Sequence, residues 1–419
     1  MSKQNVLVLG YVWPEPNSSA AGSHLLSQLT LFLKQGWKVT FASPAIQGDH
    51  KVDLQQLGIK EVSIKINCTS FDEFLQELDP TIVLFDRFML EEQFGWRIAK
   101  YCPNALRILD TEDLHSLRQA RHKALKCGDS IKKPDLNTEL AKREVAAIFR
   151  CDLSLIISDY ELELLLNYYK VPKHLLVHSP FMLEKPAAPK AGTEFENRQH
   201  FISIGNFRHE PNWDAVLWLK QEIWPLIRAQ LPKVELHIYG AYPPPKATQL
   251  HNSKQGFLVK GWAQDSKQVM EQARVCLAPL RFGAGIKGKL AEAMMCGTPN
   301  ITTQIGTEGM QMGLPWPGLI TQLDELQDSA STAELIAENA IKLYQDHTLW
   351  MHCQNLGYEL LSQNFDATTI ENRILEKIEQ ATNNLDGHRS QNFIGQMLQH
   401  HHLKSTQYMA QWIEAKNRV

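Results

Sequence analysis

The chain has 419 residues, 43% of them hydrophobic and 21% charged, with a formal net charge of −3. A single hydrophobic core stops growing near roughly 250 to 300 residues, so two domains are expected. The balanced charge gives no electrostatic reason to expect nucleic acid as a partner.

No apolar run approaches the length of a membrane span, so any membrane contact would be local and peripheral. Seven cysteines, at 68, 102, 127, 151, 276, 296 and 353, include no CxxC pair. Neither a zinc ribbon nor a dithiol redox site is indicated, and scattered thiols in odd number fit a reducing compartment. Residues 1–5 lead straight into the apolar stretch Val6 to Leu9 without a signal-peptide core, and a cytoplasmic protein is expected.

In chain order, Val6 to Leu9 reads as a strand, Ala20 to Lys34 as an amphipathic helix, and Lys38 to Ala42 as a second strand. Further strands are expected at Val62 to Ile66, Ile82 to Phe85, Leu106 to Leu109 and Leu153 to Ile157, with helices over Glu91 to Tyr101 and Glu139 to Phe149. This alternation implies a parallel sheet with right-handed crossovers, here of six units. Periodicity then stops, and Pro180, Pro186, Pro189 and Gly192 mark a polar linker.

A second alternation follows, with strands at Phe201 to Ile204, Val234 to Tyr239, Phe257 to Val259, Val275 to Ala278 and Asn300 to Thr302, and helices starting near Asn212, Gln268 and Lys287. The fold class is therefore α/β, two doubly wound domains facing a cleft at the carboxyl ends of their strands. After Thr332 the pattern is helical through Ala333 to Tyr344, Trp350 to Ser362 and Thr368 to Glu379. The tail from Asp386 carries His400, His401 and His402. Neighbours on a helix point about 100° apart and cannot all face one ion, so a solvated tail is expected rather than a metal site.

The most informative segment runs from Arg281 to Met310. It leaves a strand near Leu280, passes Gly283, Gly285 and Gly288, and opens a helix. Glycines at that junction let backbone N–H groups approach an anion at the helix N-terminus. Lys287 and Lys289 add positive charge that an apolar strand-to-helix turn does not need. Glu292, one turn beyond Gly288, is placed to accept hydrogen bonds from ribose hydroxyls. The alternative is a glycine-rich loop with solvated lysines.

Glu292-Ala-Met-Met-Cys-Gly-Thr-Pro299 and Ile305-Gly-Thr-Glu-Gly309 resemble the signature of the group 1 (family 4) glycosyltransferases, nucleotide-sugar enzymes of the GT-B fold. The resemblance implies that Glu292 binds the donor ribose. It also implies an earlier glutamate over the donor sugar, which would fall at Ala284 and is absent. A branch of the family has a Gly-Ala-Gly-x-Lys loop there instead. On this fold the expected division is a first, acceptor-side domain over 1–180, a linker over 181–199, a nucleotide-sugar domain over 200–365, a helix over 366–384 crossing back to the first domain, and a helical or mobile tail over 385–419.

The resemblance names further positions. Ile204-Gly205-Asn-Phe-Arg208 resembles the loop that holds the donor diphosphate, with Arg208 suited to bidentate phosphate contact; a plain surface arginine is the alternative. Gly22, after the loop Tyr11 to Gly22, falls where backbone passes the donor phosphates, or merely shapes a turn. His115 corresponds to a family histidine near the transferred sugar, with Asp110 and Asp113 orienting it or binding an acceptor hydroxyl; Asp113 as a helix cap is the alternative. Ser158-Asp-Tyr-Glu161 reads as a capping box without chemistry.

The implied activity is retaining, metal-independent transfer of a sugar from a nucleoside-diphosphate sugar to a glycan, lipid-linked or protein acceptor, in cell-envelope glycan assembly, in the cytoplasm or at the inner face of the membrane. His115, Arg208 and Lys287 would serve catalysis, and no cofactor or metal is expected. A 2-epimerase of the same fold and a silent subunit that activates a partner are the rival readings.

Overall fold

The computed structural model describes residues 4–185, 194–323 and 329–418. Its first sheet comprises β1 (Asn5–Leu9), β2 (Lys38–Ser43), β3 (Lys60–Ser63), β4 (Ile82–Asp86), β5 (Leu106–Asp110), β6 (Leu153–Ile156) and β7 (Leu176–His178). The spatial order is β3-β2-β1-β4-β5-β6-β7, and every pairing is parallel. The second comprises β8 (His200–Ile204), β9 (Leu236–Tyr239), β10 (Phe257–Gly261), β11 (Ala273–Ala278), β12 (Asn300–Thr303) and β13 (Gly318–Thr321), in the order β10-β9-β8-β11-β12-β13, again parallel.

Both sheets reverse winding at their first strand, between β1 and β4 and between β8 and β11. At such a point adjacent loops diverge to opposite faces and leave a crevice at the carboxyl edge. The strands are apolar on both sides because helices cover both faces. Along β1, Leu7 and Leu9 enter one core layer while Val6 and Val8 enter the other, as the two-residue period of a strand requires.

Three departures from the sequence reading have local causes. β3 lies two residues earlier than expected, because Ser43 O accepts Ile64 N after pairing has ended and Ile66 is left exposed. β7 spans three residues and β13 sits in the turn-rich stretch Gly313-Leu-Pro-Trp-Pro-Gly-Leu-Ile-Thr321, both too short or too interrupted to show a period. The first sheet therefore has seven strands rather than six.

The helix Ala367–Asn383 lays Ile370, Ile374, Ile378 and Ala381 against the first sheet's core. It is clamped at its start by Leu183, whose N–H donates to Phe365 O at 2.9 Å and whose carbonyl accepts Ala367 N at 3.0 Å. Nor is the tail a solvated extension. The helix Phe393–Asn417 packs on the helices Phe88–Tyr101 and Glu139–Arg150. Asn392 Nδ2 donates to Phe149 O and Gln399 Nε2 to Arg150 O, each at 2.7 Å. His400 is exposed on it, and the side chains of His401 and His402 lie outside the described residues, as do Pro186, Pro189 and Gly192 of the linker. Among the described residues no helix is long and apolar enough to cross a membrane.

Candidate active site

The two segments singled out in the second half of the sequence meet at the β8/β11 switch point. Gly205 follows β8 directly, and the glycine-rich loop follows β11 into the helix Gly288–Met295. Lys289 joins them: its Nζ donates to Asn212 Oδ1 at 2.6 Å, and a Cβ on Gly205 would stand 2.9 Å from that Nζ and 2.6 Å from the Asn212 amide nitrogen. Lys287 turns back into its own loop, where Nζ donates to Gly285 O at 2.7 Å. Burial lowers both ammoniums to about 8, against the opposing pull of Glu308 and Glu161 on Lys287.

Charge pairing separates the cations around this loop. Arg118 pairs with Asp113, Arg121 with Glu308 at 2.6 Å, and Arg281 with Asp214 at 2.5 Å. Lys289 and Lys287 hold only neutral oxygens. Arg208 lies over the Tyr242 ring, 3.7 Å from its centroid, and its exposed side chain has no ion pair among the described residues. One buried and one half-buried ammonium with no ion pair among the described residues, beside the N-terminus of a helix, make a site that favours an anion.

Glu292 lies farther along the same helix and accepts from Ser266 Oγ. Burial raises its carboxyl. Gly22 is required by packing: a Cβ there would lie 2.7 Å from the Glu15 carbonyl carbon. The contact across the domains falls instead at Ala20, whose Cβ would stand 2.4 Å from one added to Gly288.

From the first domain, the loop after β5 faces the glycine-rich loop. A Cβ on Gly285, which sits at φ +62°, would approach Asp113 Cβ to 2.8 Å. Gly285→Ala is therefore expected to reduce transfer by at least tenfold through both the left-handed backbone and the clash, with steady-state kinetics as the check. His115 Nε2 lies 3.4 Å from Asp113 Oδ1. Burial, with Arg118 and Arg87 near, pushes His115 down to about 4, so it meets a ligand as neutral imidazole. Asp113 is no helix cap; burial opposes its charge, but Arg118 and His115 hold the carboxyl well below the usual range.

The N–H groups that Asp113 leaves uncapped go to acids of other helices. Glu144 accepts from His115 N at 2.9 Å and Ser116 N at 3.1 Å, and Glu161 accepts from Leu114 N at 2.9 Å. Asp110 is withdrawn from the cleft: it is 0% exposed, accepts from Gln28 Nε2 at 2.6 Å and Glu112 N at 3.1 Å, and has no route to an acceptor hydroxyl.

Sequence reasoning missed the residue that ties the halves together. Ser158 does cap the helix Asp159–Asn167, but Glu161 does not return to Ser158 as a capping box requires. Its Oε1 crosses the cleft and also accepts Gly285 N at 2.7 Å. Arg121 adds a second bridge, donating to Gly283 O at 2.9 Å and holding both oxygens of Glu308. His122 stacks on Phe282 with centroids 4.3 Å apart. The loop amide of Gly285 is thus engaged from the first domain, which leaves the cations and the helix terminus as the groups open to an anion.

Residues 198–346 match the family model described as Glycosyl transferases group 1. No curated protein matches the chain by sequence. Among solved structures, sucrose-phosphate synthase from Thermosynechococcus elongatus is similar with a TM-score of 0.66 at 14% identity, over 90% of this chain and 99% of that one. HepE from Anabaena in complex with UDP and glucose gives 0.64 at 14%, over 90% and 99%. WaaG, a glycosyltransferase involved in lipopolysaccharide biosynthesis, gives 0.58 at 11%, over 88% and 98%. Residues 198–346 thus resemble the group 1 glycosyltransferases, in a chain whose two-domain architecture is that of the GT-B fold.

Proposed function

We propose that this protein is a retaining glycosyltransferase that moves a sugar from a nucleoside-diphosphate sugar to a hydroxyl acceptor, on a glycan, lipid-linked or protein substrate, in cell-envelope glycan assembly at the cytoplasmic side. The observation that carries it is the pair of lysines, Lys287 buried and Lys289 half-buried, that have no ion pair among the described residues at a helix N-terminus in the β8/β11 crevice. The similarity to HepE, solved with UDP and glucose, and to WaaG, involved in lipopolysaccharide biosynthesis, supports the donor and the setting.

In this reading Lys289, Lys287, Arg208 and the helix N-terminus balance the charge that grows on the leaving diphosphate, the task a metal performs elsewhere. Neutral His115 donates to or accepts from a sugar hydroxyl, and Glu292 exchanges Ser266 for the ribose. Closure through Glu161 and Arg121 excludes water, which otherwise hydrolyses the donor.

Thermal-shift measurement against uridine, guanosine, adenosine and cytidine diphosphates tests the binding step, since a ligand of the native state raises its stability. At least one should stabilise; stabilisation by none sinks the proposal and favours the silent subunit. Labelled donor then separates transfer from 2-epimerisation, which proceeds without acceptor.

The bound diphosphate favours charged lysines, so the complex takes up protons once the free ammoniums titrate. Lys287 is faced by Glu308, Arg121, Glu161 and Asp113, and both lysines titrate near 8. Affinity for the stabilising diphosphate should hold below pH 7 and fall as pH rises through 8, to about tenfold weaker at pH 9 for each lysine in contact. Calorimetry in buffers of different ionisation enthalpy checks the proton uptake.

A further inference from the structure

The first domain holds a second cluster that takes no part in the donor site. His24 comes from the helix Ala20–Lys34, and Asp110 and Glu112 from the end of β5 and the loop after it. Their side chains are 0%, 0% and 7% exposed. His24 Nδ1 lies 3.7 Å from Asp110 Oδ2 and 3.7 Å from Glu112 Oε2, and one ligand atom from each residue falls within 4.8 Å of the others.

Those separations are long for hydrogen bonds, which run at about 2.7 to 3.2 Å. They fit neighbouring ligands of one ion, since two atoms each about 2.1 Å from a tetrahedral centre stand about 3.4 Å apart. A second observation points the same way. Among the described residues Glu112 Oε1, within the cluster, is buried without a hydrogen-bond partner, and a buried carboxylate oxygen with no donor is costly.

Charge balance agrees. Asp86, Asp110 and Glu112 are all buried, and Arg87 pairs with Asp86 at 3.3 Å. With all three ionised, these carboxylates against one guanidinium would leave two negative charges. A divalent cation with neutral imidazole cancels both, whereas an imidazolium leaves one uncompensated in the interior. Gln28 and the Glu112 amide already hold the two Asp110 oxygens in place, the role outer hydrogen bonds play around metal-ligating carboxylates.

We propose that His24 Nδ1, Asp110 and Glu112 bind one divalent cation of the zinc or manganese class, a borderline ion suited to imidazole with carboxylates. All three ligands are buried, so the ion is structural. It pins the helix whose first residue, Ala20, meets Gly288 to the loop that carries Asp113 and His115, and thereby fixes the first domain's side of the cleft.

The test is metal content and thermal unfolding of the untagged full chain, stripped with chelator and then titrated separately with Zn2+ and Mn2+. Expected is one equivalent of one of these ions per chain, with a raised unfolding temperature. His24→Gln and Glu112→Gln, which keep side-chain size, should each lose that equivalent. A variant with His400, His401 and His402 replaced by alanine should keep it. The proposal fails if the native chain binds neither ion, which would make His24 a protonated partner of the carboxylates. It fails equally if both glutamine variants retain the metal, or if only the triplet variant loses it.

Discussion

Lys289→Met is expected to lower kcat/KM for sugar transfer by about 100- to 1,000-fold, the usual effect of removing one charged donor from a developing anion. The ammonium is the group that the Gly205 loop and the helix Gly288–Met295 converge on, and its single partner is the neutral Asn212 Oδ1. Methionine keeps most of the volume, so the loss measures charge rather than packing. Stability should move the other way. A half-buried lysine whose ammonium is lowered by desolvation costs folding free energy, and its neutral replacement should match or exceed the native unfolding temperature. Calorimetric titration with the diphosphate and a thermal scan read the two effects separately. Unchanged affinity would reduce Lys289 to a brace for Asn212.

Glu161→Ala should destabilise the chain by about 2 to 5 kcal/mol, because it strips the acceptor from two buried N–H groups, each worth about 1 to 3 kcal/mol when left unmade. One N–H is on Leu114 in the first domain and the other on Gly285 in the second, so the loss also loosens closure and should depress transfer. Glu161→Gln should stay within about 1 kcal/mol of the native protein, since an amide oxygen accepts the same two bonds. Denaturant unfolding distinguishes the variants, and equal midpoints for alanine and glutamine would refute the bridge.

The same residue sets a pH dependence. Burial, with Asp113 near, raises Glu161 to about 8 from its ordinary 4.5. Between those values the folded chain holds a proton that the unfolded chain has released. The stability this group contributes is therefore complete below the unfolded value and is lost as pH rises through the window. Glu161→Gln should flatten that slope, which unfolding midpoints at pH 5, 7 and 9 would show.

Much of the fold was readable because buried parallel strands appear as unbroken apolar runs. Ile82 to Phe85 and Val6 to Leu9 needed no tertiary information. β7 and β13 escaped because three residues, or four among prolines and glycines, cannot display a period. The segment from Gly283 to Lys289 was readable as a candidate anion site for a different reason: glycines, lysines and a helix start in that order would let backbone and side chains approach an anion. The error over Ser158 to Glu161 is instructive. The local pattern was real, and Ser158 does cap, yet the carboxylate found a better use 124 residues away at Gly285.

By itself, then, the sequence determined two α/β domains and most of their strand succession, which follow from periodicity, and it marked Gly283 to Lys289 as a candidate anion site from groups within one turn of each other. Only the tertiary structure decided which carboxylates lie idle and which work. It buried Asp110 beneath the helix carrying His24, paired Arg121 with Glu308, and left Lys289 without an ion pair among the described residues. Those outcomes depend on which loops the closed domains press together. Coulomb and desolvation energies are set by distances of a few ångströms between residues far apart in the chain, and no local pattern encodes them.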